Sequence, residues 1–188
     1  MPRYFAAFAL VLLIGLVLVR AQLLKRQGIK AIHFGSIDKK DFLIPPFALF
    51  YFYTVFAAAI NLPTISKQEF FHSEMVSWAG VLFCAGGLFL FAWSLVSFGK
   101  NFRVGIDTTH PGKLVTTGAF GISRNPIYVA FASVLIGQFL IFPTVILQIY
   151  FGAAVWLFHR QVLREEAFLK THYGQEFTDY SRRVRRYL

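Results

Sequence analysis

Charged residues are scarce in this sequence, and acidic ones are the scarcest. Asp, Glu, Lys and Arg make up 15% of the 188 residues, against about 25% in an average soluble domain, whereas 56% are hydrophobic. This composition excludes a disordered chain and disfavours a soluble globule. The single cysteine, Cys84, lies inside an apolar run, which excludes a disulfide framework and a cysteine-based metal site.

Four long runs contain no Asp, Glu, Lys or Arg at all: residues 4–19, 42–62, 75–98 and 127–158. A proton relay or an ion path normally places ionisable groups inside such segments, so their absence disfavours a transporter. Each of the first three runs predicts one membrane-spanning helix. In the third run Gly80, Gly86 and Gly87 are small enough to let a neighbouring helix approach closely. The first run is also typical of a signal peptide, but Arg20 just before the expected cleavage site favours a span.

The fourth run is too long for one crossing. As a straight helix its 32 residues would extend roughly 48 Å, whereas the hydrocarbon core of a bilayer is about 30 Å thick. Pro143 lies at its middle and lacks a backbone donor, so the run predicts two helices in a hairpin. We therefore predict an all-α integral membrane protein with about five transmembrane helices, the last two a Pro-broken hairpin. Residues 1–98 hold three of them, and residues 99–188 hold the hairpin and a basic tail.

Basic residues outnumber acidic ones by 19 to 9, giving a net charge of +10. In a membrane protein this excess predicts contact with anionic lipid headgroups rather than with nucleic acid. We expect four closely spaced arginines of the tail to hold the C-terminal segment against these headgroups: Arg182, Arg183, Arg185 and Arg186. Five alternating spans place 17 of the 19 basic residues on one side. Arg3 and Lys67 lie opposite, and the 17 are Arg20, Lys25, Arg26, Lys30, Lys39, Lys40, Lys100, Arg103, Lys113, Arg124, Arg160, Arg164, Lys170, Arg182, Arg183, Arg185 and Arg186. The positive-inside rule then puts the N-terminus outside and the C-terminus in the cytoplasm, in a bacterial inner membrane or the endoplasmic reticulum.

Potentially reactive side chains gather in two stretches, residues 99–128 and 159–188, which flank the hairpin. Because a hairpin returns the chain to its starting face, the two stretches can form one site. In the first stretch Pro126 suits the first turn of a helix, so Arg124 and Asn125 lie at a helix N-terminus, a place that attracts a carboxylate or phosphate. Alternatively, Arg124 contacts lipid headgroups and Asn125 caps the helix.

The second stretch contains the adjacent carboxylates Glu165 and Glu166. Adjacent side chains point about 100° apart on a helix, so we expect only Glu165 to face a shared site and Glu166 to pair with an arginine on another face. An ordinary solvated helix next to the membrane is the alternative. The five histidines are dispersed and predict no metal site.

Several spaced elements of the two stretches follow one another in a fixed order. They are Lys113-Leu114-Val115, Gly118 and Phe120, then Arg124-Asn125-Pro126-x-Tyr128, then Glu165-Glu166, then Tyr173-Gly174-x-Glu176-Phe177-x-x-Tyr180. In this order they resemble the isoprenylcysteine carboxyl methyltransferases and their phospholipid methyltransferase relatives. The resemblance covers residues 98–186, nearly half of the chain.

The resemblance implies an integral membrane enzyme that uses S-adenosylmethionine, held at the cytoplasmic face by the loop before the hairpin and the segment after it. The implied acceptor is lipophilic, either isoprenylcysteine-like or a lipid. Arg124 would bind the carboxylate of the cofactor, and Glu165 would accept hydrogen bonds from its amino group or ribose, so these two are the implied catalytic residues. The implied cofactor-binding residues are Lys113, Leu114, Val115, Gly118, Phe120, Arg124, Asn125, Tyr128, Glu165 and Glu166.

This sequence departs from the prenylcysteine enzymes at the loop. Asn125 stands where they have His, and an amide side chain cannot titrate, which excludes acid or base catalysis at that position. Two other functions stay open. One is an NADPH-dependent membrane reductase of the sterol type, and the other is a non-enzymatic scaffold whose basic tail binds anionic lipid.

Overall fold

The computed structural model describes residues 1–26, 44–62, 69–99 and 112–188. Within these ranges the chain is helical and contains no strand, which confirms the all-helical part of the predicted fold class. The six α-helices are α1 (Pro2–Arg26), α2 (Ile44–Ala59), α3 (Glu74–Phe98), α4 (Pro126–Ile141), α5 (Val145–Tyr173) and α6 (Gln175–Arg183). A single 3-10 turn, Gly118–Gly121, precedes α4.

The predicted break at Pro143 is confirmed. Helix α4 ends at Ile141 and α5 begins at Val145, where the Thr144 side chain accepts a hydrogen bond from the Leu147 amide at 3.5 Å. The carbonyl of Pro143 accepts a hydrogen bond from the Phe70 amide at 2.7 Å. Because proline has no amide hydrogen to donate, the chain reverses here, and α5 packs back against α4.

Glycines let α3 and α4 make the most extensive helix contact in the described chain. A Cβ atom on Gly137 would lie 2.6 Å from the carbonyl oxygen of Gly80, and one on Gly87 would lie 2.8 Å from the carbonyl oxygen of Ala130. Any larger residue would force the two backbones apart. The close approach expected at Gly80 and Gly87 is therefore confirmed, whereas Gly86 has nothing within 4 Å of its Cβ position.

A buried glutamine joins three helices across the apolar core. Gln138 on α4 is fully buried, accepts a hydrogen bond from the Tyr51 hydroxyl on α2 and donates one to the Ala6 carbonyl on α1 at 3.2 Å. These bonds satisfy both ends of its amide, whose burial without partners would be costly.

Contacts between helix ends show that the helices alternate in direction. Arg3 at the start of α1 contacts Asn61 after α2 and Glu69 before α3, each at 3.3 Å. Together with the α4–α5 turn they form what we name the turn end. At the opposite end, Arg20 of α1 donates to the carbonyl of Gly99 after α3, next to the loop that precedes α4. We name this the loop end.

Apolar side chains cover much of the helix surface. Helices α1 and α3 have 25 residues each and are long and apolar enough to cross a membrane, yet only 22% and 33% of their most apolar stretches are buried. Leu82, Phe89 and Val96 are 70% exposed or more. Such surface suits lipid better than water.

Two helices thus qualify as spans by length and composition, while α2 and α4, with 16 residues each, are shorter apolar helices. The five-span topology stays a prediction. Several residues behind it lie outside the described residues, namely Lys30, Lys39, Lys40, Lys67, Lys100 and Arg103.

Candidate functional site

The loop before α4 is fixed on two sides. Gly118 has a positive φ of 64° and packs directly on the side chain of Ser97 at the end of α3, so only glycine fits there. The buried ring of Phe120 lies edge-on to Phe98, 4.9 Å between centroids. The Tyr180 hydroxyl on α6 donates to the Phe120 carbonyl at 2.7 Å. These contacts hold the loop between α3 and α6.

A nearly buried ion pair links the start of α4 to α5. Arg124 Nη2 donates to Glu166 Oε2 at 3.4 Å, and the two side chains are 12% and 10% exposed. Arg124 Nε lies 3.2 Å from Glu166 Oε1 but makes no hydrogen bond, because the angle is unfavourable. Arg124 Nη1 donates to the Ser181 carbonyl at 3.1 Å, and the guanidinium lies over the Phe177 ring. Arg124 is therefore held by α5 and α6 together.

Two further groups bind Glu166. Asn125 Nδ2 donates to Oε1 at 3.1 Å, and Arg186 Nε donates to Oε2 at 2.9 Å. Two guanidinium groups thus share one carboxylate, and the cluster keeps an excess positive charge.

Glu166 pairs with an arginine, as expected, but the expected position of this pair on another face is wrong. Glu166 does not point away from the shared site, because Arg124 and Asn125 from one side and Arg186 from the other enclose it. The Arg124 side chain contacts Glu166 and the Ser181 carbonyl, and its contact with a cofactor carboxylate stays a prediction.

Glu165 forms a second, separate set of contacts. Its Oε1 accepts hydrogen bonds from the Tyr128 hydroxyl at 2.6 Å and from Gln161 Nε2 at 3.1 Å. Its Oε2 accepts none from the residues that the structure describes. Burial raises the pKa of the Glu165 carboxyl above its ordinary value, and the two hydrogen bonds partly oppose this. A half-buried carboxyl group with a raised pKa is typical of functional sites.

The other predicted residues belong to the loop before α4. Lys113 and Gly118 are exposed, Leu114 and Val115 are half-buried, and Phe120 is buried. The Tyr173 hydroxyl at the end of α5 donates to the Gly112 carbonyl, which holds the beginning of the loop against α5.

Sequence reasoning missed the segment after α6. Arg186 was expected to contact lipid headgroups, yet it binds Glu166. The Tyr187 hydroxyl lies 2.8 Å from His159 Nδ1 on α5. The four closely spaced arginines were the available signal, but charge alone does not distinguish a lipid contact from an internal ion pair.

Residues 75–176 match the family model described as phospholipid methyltransferase. The protein-S-isoprenylcysteine O-methyltransferase of Rattus norvegicus is 30% identical over 140 residues, which are 70% of this chain and 49% of the relative. Protein-S-isoprenylcysteine O-methyltransferase B of Arabidopsis thaliana is 30% identical over 94 residues, 48% of each chain. This chain thus spans about half the length of these two relatives. No solved structure matches it.

The family match includes α3, the loop, the hairpin and both glutamates, and it covers more than half of the chain. The matching relatives carry the name of a methyltransferase, which favours this class over a reductase or a scaffold. This chain belongs to the phospholipid methyltransferase family.

Proposed function

We propose that this protein is an integral membrane methyltransferase that uses S-adenosylmethionine and acts on a lipophilic acceptor, isoprenylcysteine-like or lipid, at the cytoplasmic face of the membrane. The observation that carries the proposal is Glu165 Oε2, which accepts no hydrogen bond from the described part of the chain. This half-buried carboxylate lies in the family-matched segment, at the end of an apolar bundle where the loop and α5 meet.

The residues present fit this cofactor. Its amino group and ribose hydroxyls need acceptors, and Glu165 Oε2 is one. Its carboxylate needs a positive charge, which the Arg124 guanidinium near the N-terminus of α4 would supply. The remaining walls would come from the predicted residues Lys113, Leu114, Val115, Gly118, Phe120, Asn125 and Tyr128.

The main role of the side chains at this site would be to align the cofactor and the acceptor. When bound, the cofactor supplies a methyl group on a sulfonium, whose positive charge disappears as the methyl leaves. Such a displacement depends on alignment and a dry site more than on strong acids or bases. Tyr128 and Gln161 fix the orientation of Glu165, and Asn125 contributes a hydrogen bond and no proton.

The acceptor would reach this site from the bilayer. A row of aromatic rings leads from α3 towards Glu165: Phe91 to Phe131 at 5.2 Å, Phe131 to Phe158 at 5.9 Å and Phe158 to Tyr128 at 5.6 Å between centroids. Phe91 is buried, so a lipid chain alongside the half-buried rings of Phe131, Phe158 and Tyr128 would bring a polar head to the loop end.

The membrane arrangement is part of the proposal. Five spans, with the loop end in the cytoplasm, place the exposed Arg182, Arg183 and Arg185 beside anionic headgroups. Each arginine would contribute about 1 kcal/mol to the free energy of binding to the membrane surface. Cysteines introduced at His72 and at Arg182, at opposite ends of the bundle, should be labelled from opposite sides of sealed cells. Labelling of both from one side would refute the topology.

Binding of S-adenosylhomocysteine, measured by calorimetry in detergent, tests the cofactor assignment. Glu165→Gln should weaken it at least roughly tenfold, because losing one charged partner typically costs 2 to 5 kcal/mol. Glu69→Gln, at the turn end, is the matched control and should leave the affinity unchanged. A wild-type protein that binds NADPH and not S-adenosylhomocysteine would be a reductase, and the proposal would fail.

A further inference from the structure

The segment 184–187, which we name the tail segment, lies outside residues 75–176 of the family match, yet it contacts the candidate site. After α6 the backbone becomes extended at Val184 and runs parallel to the loop before α4, with a bridge between Ser123 and Arg185. The Arg124 amide donates to the Arg185 carbonyl at 2.9 Å.

The next residue of the tail segment binds the loop and α5 at once. The carbonyl of Arg186 accepts hydrogen bonds from Asn125 Nδ2 at 3.1 Å and from Ser123 Oγ at 3.3 Å. Its guanidinium binds Glu166 Oε2 through Nε and Nη2, both at 2.9 Å. Arg186 is thus a direct connection between the start of α4 and the buried carboxylate.

The distances indicate which arginine orients Glu166. The hydrogen bond from Arg124 to Oε2 is long at 3.4 Å, whereas both contacts from Arg186 to the same oxygen are 2.9 Å. Charge-assisted hydrogen bonds of normal strength are about 2.7–2.9 Å long. Arg186 therefore makes the shorter contacts to Oε2, while Arg124 Nε lies 3.2 Å from Oε1.

A second contact fixes the tail segment along α5. Tyr187 binds His159, which lies seven residues before Glu166 and so on the same face of α5, about two turns away. Adjacent tail residues thus bind α5 at two points on one face.

We propose that Arg186 is a positioning residue for cofactor binding: it orients Glu166, and through it Arg124 and Asn125 at the start of α4. The inference rests on the proposed function, because the cofactor site it serves is the one proposed there. It adds to that site a residue from beyond the family-matched segment.

Calorimetry with S-adenosylhomocysteine on the full chain tests this role. Arg186→Gln should weaken binding roughly tenfold. Arg186→Lys keeps the charge but not the two-pronged contact, so it should lie between Arg186→Gln and the wild type. Arg182→Gln is the matched control, because Arg182 is 73% exposed and, among the residues that the structure describes, pairs only with Asp179, at 3.7 Å. This variant should change the affinity less than about twofold.

A double variant separates positioning from a general loss of structure. If Arg186 acts through Glu166, then Glu166→Gln combined with Arg186→Gln should bind no more weakly than Glu166→Gln alone. If the losses of affinity in the two single variants simply add in the double variant, the inference is overturned. If Arg186→Gln does not fold, Arg186→Lys decides, since wild-type affinity in that folded variant would also overturn it.

The two proposals fail in different ways. Absence of S-adenosylhomocysteine binding in the wild type would refute the proposed function. Tight binding by the wild type and equally by Arg186→Gln would leave the proposed function standing and refute only the positioning role.

Discussion

The two ends of the helix bundle each carry an arginine–glutamate pair of nearly equal length. At the turn end, Arg3 lies 3.3 Å from Glu69, with side chains 40% and 27% exposed. At the loop end, Arg124 lies 3.2 Å from Glu166, with side chains 12% and 10% exposed. The nitrogen–oxygen distances are nearly the same, so burial and the number of partners distinguish the two pairs.

That difference has an energetic meaning. An exposed pair gains little because water replaces either partner well, whereas removing one partner of a buried pair leaves a charge that nothing solvates. Glu69 has His72 as a second, exposed neighbour, while Glu166 has Asn125 and Arg186 around it. The loop end is thus the one where a single substitution should alter both stability and binding.

Removing the carboxylate at the loop end should have the largest effect. Glu166→Ala leaves two guanidinium groups facing each other without a counter-charge, and we expect a loss of roughly 3–5 kcal/mol in the free energy of unfolding. Denaturation in detergent measures it. A loss below about 1 kcal/mol would mean that the two ends do not differ in the way described.

The second carboxylate at the loop end should show a smaller, specific coupling. Tyr128→Phe removes the hydroxyl that donates to Glu165 at 2.6 Å, and we expect a cost of about 1.5–3 kcal/mol in unfolding free energy. In a Glu165→Leu background the same change should cost little, because the acceptor is gone. Equal costs in both backgrounds would show that the hydroxyl acts elsewhere.

Glu165 should also make the loop end sensitive to pH. Because burial raises the pKa of Glu165 in the folded state, the folded protein binds this proton more tightly than the unfolded chain does. The stability of the wild type relative to Glu165→Gln should therefore be greatest below the pKa of the unfolded state and should decrease as pH rises through the folded-state pKa. Unfolding curves at acidic and neutral pH measure the difference, and the opposite sign would contradict this.

The smallest effect is expected at the turn end. Arg3→Ala breaks an exposed pair and should cost about 0.2–1 kcal/mol, decreasing with added salt. Unfolding at low and high salt measures it. A cost comparable to that of Glu166→Ala would remove the distinction between the two ends.

Several features could be predicted from the sequence because they depend on local properties of the chain. The apolar runs predicted helices, Pro143 predicted the break between α4 and α5, and Gly80 and Gly87 predicted a close helix contact. The hairpin also implied that the stretches around Arg124 and Glu165 meet at one end. Each inference uses length, a missing amide hydrogen or a missing side chain, which the sequence states directly.

The sequence by itself determined an all-helical, apolar chain with its polar chemistry at the two flanks of a hairpin. Only the tertiary structure decided which carboxylate meets which arginine: Glu166 binds Arg124, 42 residues away, and Arg186, 20 residues away, while Glu165 binds Tyr128. The physical reason is that neighbouring side chains on a helix point about 100° apart. Which direction faces a partner depends on how α4 and the tail segment pack around α5, and no local pattern specifies that.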